Sequence, residues 1–505
     1  MNRALLIVVA LMGCLHGWAV SENQSNEALP NIVLILADDL GFGDLSCNNA
    51  NSKITTPHLD RLAAGGMNFL DAHSPSGVCT PTRYGVLTGR YCWRTSLKKG
   101  VLGLQSLPLI EEQRLTLPGM LAKRGYATGA IGKWHLGRSW PLLDPKGKVT
   151  PPNIDWDKPE IIGPLDVGFT YYYGMAEPAW TFIENRRIMQ RPIERYDLSH
   201  IPGHIVGPGN SRGYRAPGFT FEQMLPAWVK KSKEFIESSA ASKKPFFLYF
   251  APMCPHRPIN PNEEFKGKSK CGVYGDFVLE LDAAVGQLMS ALEKAGVADN
   301  TLIIFTADNG AEVNTYTHIK EFGHWSSGGL RGCKRDLYEG GHRVPFIASW
   351  PNVIAANKTS EEIICLTDIM ATVANIISYQ LPSDSAEDSY NLMPVLKGRK
   401  LPAPLREATV HHSISGRFAI RQQNWVYIES HSGADTPEPQ KIREILGVKS
   451  HSLKAELFDL KQDPKQTKNL LDEHPDKAQS LKNILDRYRS HNRSTPIRLY
   501  PSPDP

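Results

Sequence analysis

A chain of 505 residues with 41% hydrophobic and 22% charged residues has the ordinary profile of a soluble globular protein, long enough for one large domain and a smaller one. Its net charge of +5 is mild and mixed along the chain, and no zinc finger or other nucleic-acid motif occurs, so nucleic acid is not an expected partner. Seven cysteines lie beyond Cys14, none in C-x-x-C spacing, which leaves a zinc or thioredoxin-like site without support.

The N-terminus reads as a targeting segment. Arg3 precedes the apolar run Ala4 to Met12, and Gly17-Trp18-Ala19 offers a small-x-small cleavage site, so residues 1–19 are expected to be a signal peptide. Leu11-Met12-Gly13-Cys14 resembles a lipoprotein box, whose use would end the signal before Cys14 and leave a lipid anchor. Either route predicts an exported protein, periplasmic or secreted. No later apolar stretch is long enough for a transmembrane helix.

Four apolar runs then share one form. Asn31 to Leu36 leads into Asp38-Asp39, Ala127 to Ile131 into Lys133-Trp134-His135, Phe246 to Phe250 into His256, and Thr301 to Thr306 into Asp308-Asn309. Continuous apolar runs predict strands buried on both faces of a mostly parallel sheet. Asp276 to Ala295 has helical spacing, and the alternation of strand and helix predicts a doubly wound α/β domain over residues 28–400. Beyond Leu401-Pro402-Ala403-Pro404 the texture changes. Short strands at Phe418–Arg421, Trp425–Glu429 and Glu456–Leu460 precede a helix from about Pro475 to Tyr488, predicting a small antiparallel sheet with one packed helix over residues 401–505.

In a doubly wound sheet, ligands bind beyond the carboxyl ends of the strands, and all four polar clusters fall there. Singly, Asp38-Asp39 and Asp308-Asn309 suit ordinary caps or turns. Together they form an all-oxygen donor set that suits Ca²⁺ or Mg²⁺. Lys133 and His135 alternate about Trp134 and can face one side. His256 lies in Pro255-His256-Arg257-Pro258, a stiff loop equally suited to presenting an imidazole or to a structural turn.

Cys79-Thr80-Pro81-Thr82-Arg83, continuing to Leu87-Thr88-Gly89-Arg90, stands where a turn should open into a helix. It resembles the signature of the formylglycine-dependent sulfatases, and Gly125 to His135 resembles that family's second signature. Gly329 to Lys334, upstream of Tyr338-Glu339-Gly340-Gly341, is similar to a later family segment. The resemblance implies an alkaline-phosphatase-like fold and sulfate ester hydrolysis. It implies that a maturation enzyme converts Cys79 to formylglycine, whose hydrate is the nucleophile. Asp38, Asp39, Asp308 and Asn309, with the modified residue 79, would hold one calcium ion. Arg83 would steady the nucleophile, Lys133 and Lys334 would contact the sulfate, His256 would act as general acid, and His135 as base. With Cys79 modified, six cysteines remain, which permits disulfides without requiring them.

The implied substrate is a sulfated small molecule or glycan, with sulfated polysaccharide favoured. A phosphonate or phosphate ester hydrolase of the same superfamily and a non-catalytic binder of sulfated glycans are the rival readings. Many relatives carry a pocket serine before the segment equivalent to Phe182-Ile183-Glu184-Asn185, but Gly174 to Trp180 offers none. Trp140, Trp180 and Trp325 are candidates for stacking on a substrate ring. Arg186, Arg187, His318 and His324 are candidates for the pocket rim.

Overall fold

The strands Asn31–Ala37, Phe246–Ala251 and Thr301–Ala307 are buried at every residue, which requires cover on both faces and explains their unbroken apolar sequence. In the computed structural model, which describes residues 29–206 and 211–496, they form the centre of a ten-stranded sheet. Its order is 358–360, 67–69, 346–349, 301–307, 31–37, 246–251, 127–132, 171–175, 182–184, 187–188. The five strands from 301–307 to 171–175 run parallel; antiparallel pairs flank them on both sides, and the outermost strand 358–360 pairs parallel with 67–69. Helices Pro57–Ala64, Met224–Ala241 and Gly272–Lys294 pack together as one group, and Cys79–Thr88, Leu117–Lys123 and Asp368–Ile376 as another. The signal segment, Cys14 included, lies outside the described residues, and no described helix is long and apolar enough to cross a membrane.

Backbone bonds extend the parallel pairing past the strand ends and so fix the loops that follow. Asp38 N–H donates to Cys254 O (3.1 Å), Lys133 N–H to Ala251 O (2.8 Å) and Asp308 N–H to Ala37 O (3.0 Å). Gly132 makes this approach possible. It adopts φ 114°, and a Cβ there would lie 2.2 Å from the Ala251 carbonyl oxygen, so only glycine fits.

The small sheet is antiparallel and has four strands, Thr409–His412, Phe418–Gln422, Trp425–Ile428 and Glu456–Asp459. The first of these is absent from the sequence reading. Helix Pro475–Ser490 lays Leu481, Leu485 and Tyr488 against Val410, Ile420 and Leu457. Strand 409–412 also reaches the large domain, where Gly77 N–H (3.1 Å) and Ser76 Oγ (2.7 Å) both donate to His412 O. The segment just before Cys79 is thereby pinned from the far end of the chain. A second tie is a buried fork in which Arg94 Nε and Nη2 donate to the two oxygens of Asp388, each at 2.8 Å, and Nη1 to Tyr488 O. Asp388→Ala strands that guanidinium and is expected to cost about 3–5 kcal/mol, read as a lower denaturant midpoint; an unchanged midpoint would count against the tie.

Candidate active site

Helix Cys79–Thr88 is buried at all ten positions, and Cys79 opens it. The thiol therefore sits at a helix N-terminus, where the backbone dipole favours negative charge. Thr80 Oγ1 donates to His135 O (3.0 Å) and Arg83 Nη1 to Lys133 O (3.3 Å), so the helix clasps the segment leaving strand 127–132. His135 takes φ 56° and Asp39 φ 65°, left-handed conformations rare outside glycine that bend both side chains into the site.

The result joins all the segments expected to contribute. Cys79 Sγ lies 3.3 Å from His135 Nδ1, while His135 Nε2 is 2.9 Å from Leu102 O. The carbonyl needs a donor, so Nε2 carries the hydrogen and Nδ1 presents its lone pair to residue 79. Burial, helped by Lys133, pushes the imidazole pKa down to about 4, which keeps it neutral. Arg83 is fully buried and forks from Nε (3.1 Å) and Nη2 (2.8 Å) onto Asp308 Oδ2. Lys133 Nζ reaches Asp38 Oδ2 at 2.6 Å, and Lys334 Nζ reaches Asp39 Oδ2 at 2.7 Å. His256 directs Nδ1 to Arg257 O and stands with Nε2 3.7 Å from Asp39 Oδ2.

The carboxylates fit a hard cation. Asp38 Oδ1 and Asn309 Oδ1 are buried oxygens with no hydrogen-bond partner, a costly state that a cation would relieve. Asn309 Nδ2 donates to Asp39 Oδ1 (2.8 Å), which leaves its oxygen as the free end. Burial and the Asp38 charge push Asp308 well above the usual carboxylate range. At Asp38 burial acts in the same direction but is outweighed by Lys133, His256, Arg83 and Lys334, which hold it well below. Asp38, Asp39 and His256 offer ligand atoms within 4.8 Å of one another. With His256 left aside as a nitrogen donor, the oxygens of Asp38, Asp39, Asp308 and Asn309 suit calcium or magnesium.

A cavity of about 110 Å³ opens beside Lys133, His135 and His256, with Met175, Glu177 and Trp180 also lining it. Of the tryptophans, Trp180 alone lines it. Trp140 is buried behind it, its Nε1 donating to Glu177 O (2.8 Å), and Trp325 is half-buried elsewhere. The expected rim residues are also elsewhere. His324 pairs with Asp44 (2.7 Å), to which Tyr274 OH also donates (2.6 Å), and the His318 ring lies tilted against Tyr274 with centroids 4.4 Å apart. Gly323, at φ 63°, ends helix Thr315–Phe322, which explains how residues close in sequence to Asp308 join a separate buried cluster. Arg186 forks onto Asp166 at 2.9 Å through both terminal nitrogens, and Arg187 donates to Asp157 O. Glu312, which takes Arg335 at 2.5 and 2.9 Å and Arg257 at 3.1 Å, was not foreseen; Asp308-Asn309-Gly310-Ala311-Glu312 carries its only signal, an acid near the donor set. The seven described cysteines are all free.

The sulfatase family model matches residues 30–379, and a model described as N-sulphoglucosamine sulphohydrolase, C-terminal, matches residues 332–491. An N-acetylgalactosamine-6-O-sulfatase of Bacteroides thetaiotaomicron is 33% identical, covering 96% of this chain and 97% of its own. Human arylsulfatase A is 33% identical over 88% of this chain and 83% of its own. A solved structure from work on glycosaminoglycan metabolism by Bacteroides thetaiotaomicron superposes with a TM-score of 0.78 at 30% identity, covering 92% of this chain and 100% of that one.

Proposed function

The chain belongs to the sulfatase family and hydrolyses sulfate esters, and we propose that it does so through formylglycine at position 79 and one divalent cation, calcium ahead of magnesium. The observation that carries this reading is the 3.3 Å approach of Cys79 Sγ to the lone-pair nitrogen of a neutral His135, beside the all-oxygen donor set. A maturation enzyme, with an oxidant it brings, would take two electrons from the Cys79 side chain; the carbon–sulfur bond breaks, sulfur leaves as sulfide, oxygen takes its place as the aldehyde, and water hydrates it. Asp38, Asp39, Asp308 and Asn309, with residue 79, would hold the cation, which supplies charge neutralisation for sulfate oxygens and acidifies the attacking hydroxyl.

The protein's own groups divide the remaining work. Lys133 and Lys334 bring two ammonium charges to the sulfate oxygens and stabilise the charge that grows in the transition state. Arg83, locked on Asp308, fixes the helix start that presents residue 79. One hydroxyl of the hydrate, its proton released to water, attacks sulfur, and the bond from sulfur to the alcohol oxygen breaks. His256 delivers the proton that oxygen needs. Burial pushes the His256 pKa down to about 4 against the pull of Asp38 and Asp39; a bound sulfate adds to that pull and favours the charged form. His135 Nδ1 then accepts the proton of the second hydroxyl, the carbonyl re-forms, and the carbon–oxygen bond to sulfate breaks. Serine lacks that second hydroxyl and would remain sulfated.

The substrate we favour is a sulfated carbohydrate, in keeping with the relatives' names, handled by an exported enzyme whose residues 1–19 are removed. We assign the catalytic domain to residues 28–400 and the smaller subdomain to 401–505. The two histidines give a direct test. His256→Ala should lose about 10²–10⁴-fold on sugar sulfates, whose alkoxides leave poorly, and much less on activated aryl sulfates. His135→Ala should slow both equally and accumulate sulfated enzyme. Equal losses on both substrate types in His256→Ala, with bond cleavage limiting the rate, would overturn the assignment.

A further inference from the structure

Glu177 is an anomaly in a site built for an anion. It lines the cavity beside Lys133, His135 and His256, it is half-buried, and among the described residues no hydrogen bond or ion pair reaches its carboxylate. Its backbone is held in place by Trp140 Nε1. Its charge bears on the buried His135, Arg138 and Tyr172, so the carboxylate lies near those groups. The two cationic side chains that line the cavity, Lys133 and Arg257, are each already paired, with Asp38 at 2.6 Å and with Glu312 at 3.1 Å. A neighbouring groove of about 380 Å³ shares Leu104, Pro178 and Trp180 with the cavity and adds Tyr196 and Tyr214, so Glu177 stands where the body of a substrate passes out of the site.

A half-buried carboxylate that loses its water to a ligand must be given donors in exchange, or binding is weakened. A second anion brought to the same place meets like charge in a setting that screens poorly. We propose that Glu177 is a specificity-determining residue: it accepts hydrogen bonds from hydroxyl or amide N–H groups of an otherwise uncharged sugar ring, and it excludes rings bearing a second sulfate or a carboxylate. The substrate class is then a singly sulfated neutral sugar, with Trp180 available to stack on the ring. This inference rests on the sulfated-carbohydrate reading above.

The test compares kcat/KM on an N-acetylhexosamine monosulfate and on the same ring carrying a second sulfate, with an aryl sulfate as a third substrate. Wild-type enzyme should prefer the singly sulfated ring, and Glu177→Gln should reduce that preference by about tenfold or more. Because both sugars meet the same variant, any effect of the substitution on His135 cancels in the ratio. Glu177→Asp, which keeps the charge, should retain most of the preference and guards against a misfolded glutamine variant. A ratio that Glu177→Gln leaves within twofold of wild type overturns the proposal, as does a wild-type enzyme that cleaves the aryl sulfate but neither sugar. Failure to cleave any of the three would instead count against the proposed function itself.

Discussion

Cys79→Ala is expected to abolish sulfate ester hydrolysis, by about 10⁴-fold or more, while the fold persists. The thiol contributes little to stability, because its removal takes one small buried group from a helix start that Thr80 and Arg83 already hold to the 133–135 segment. Cys79→Ser makes a sharper case. Its hydroxyl can attack sulfur with His135 Nδ1 at hand, but it has no second hydroxyl through which to expel sulfate. It should complete one turnover and stop, and peptide mass spectrometry should find residue 79 sulfated. Wild-type protein of full activity should show the aldehyde, or its adducts, at position 79. Fully active protein bearing only the unmodified thiol would refute the mechanism.

Removal of the cation is expected to abolish activity and to lower the melting temperature together. Around Asp38, Asp39 and Asp308 the protein supplies Arg83, Lys133 and Lys334, yet Asp38 Oδ1 and Asn309 Oδ1 remain without partners. Binding to the folded state alone adds about 2.7 kcal/mol at a hundredfold excess over Kd, enough to shift the melt by a few degrees. Chelated enzyme should regain both properties with calcium, and less fully with magnesium, whose stricter octahedral demand suits a crowded carboxylate set poorly. Asp39→Asn should weaken binding while nearly preserving shape. Asp308→Ala is the poorer probe, since it also leaves Arg83 buried without its carboxylate. Full activity in metal-free protein would disprove the assignment.

The central sheet was legible because burial on both faces writes itself into sequence as unbroken apolar runs, and the polar residues closing those runs must emerge at one edge. Asp38, Asp39, Lys133, His135, His256, Asp308 and Asn309 could thus be picked out at strand ends before any coordinates were known, whereas Cys79, Arg83 and Lys334 were named only through motifs that resemble the sulfatase family. Strand Thr409–His412 escaped because its polar Thr409, His411 and His412 are buried between the small sheet and the large domain, a setting no periodicity announces. His318 and His324 misled for a related reason: their partners, Asp44 and Tyr274, come from segments far away in the chain. The segment Gly174–Trp180 drew notice for lacking a serine, while its Glu177 passed unweighed, since a free carboxylate is conspicuous only once the neighbouring cations are seen to be paired.

The bonds from Ser76 and Gly77 to His412 also impose a schedule. Cys79 is only 4% exposed once folded, too little for another enzyme to work on its β-carbon. The strand that fastens the preceding loop is synthesised roughly 330 residues later, about 15–70 s at ordinary translation rates. Until His412 arrives, the loop before residue 79 lacks that fastening. The distance along the chain between the cysteine and its clasp would thus leave an interval in which the proposed oxidation meets a less tightly held loop.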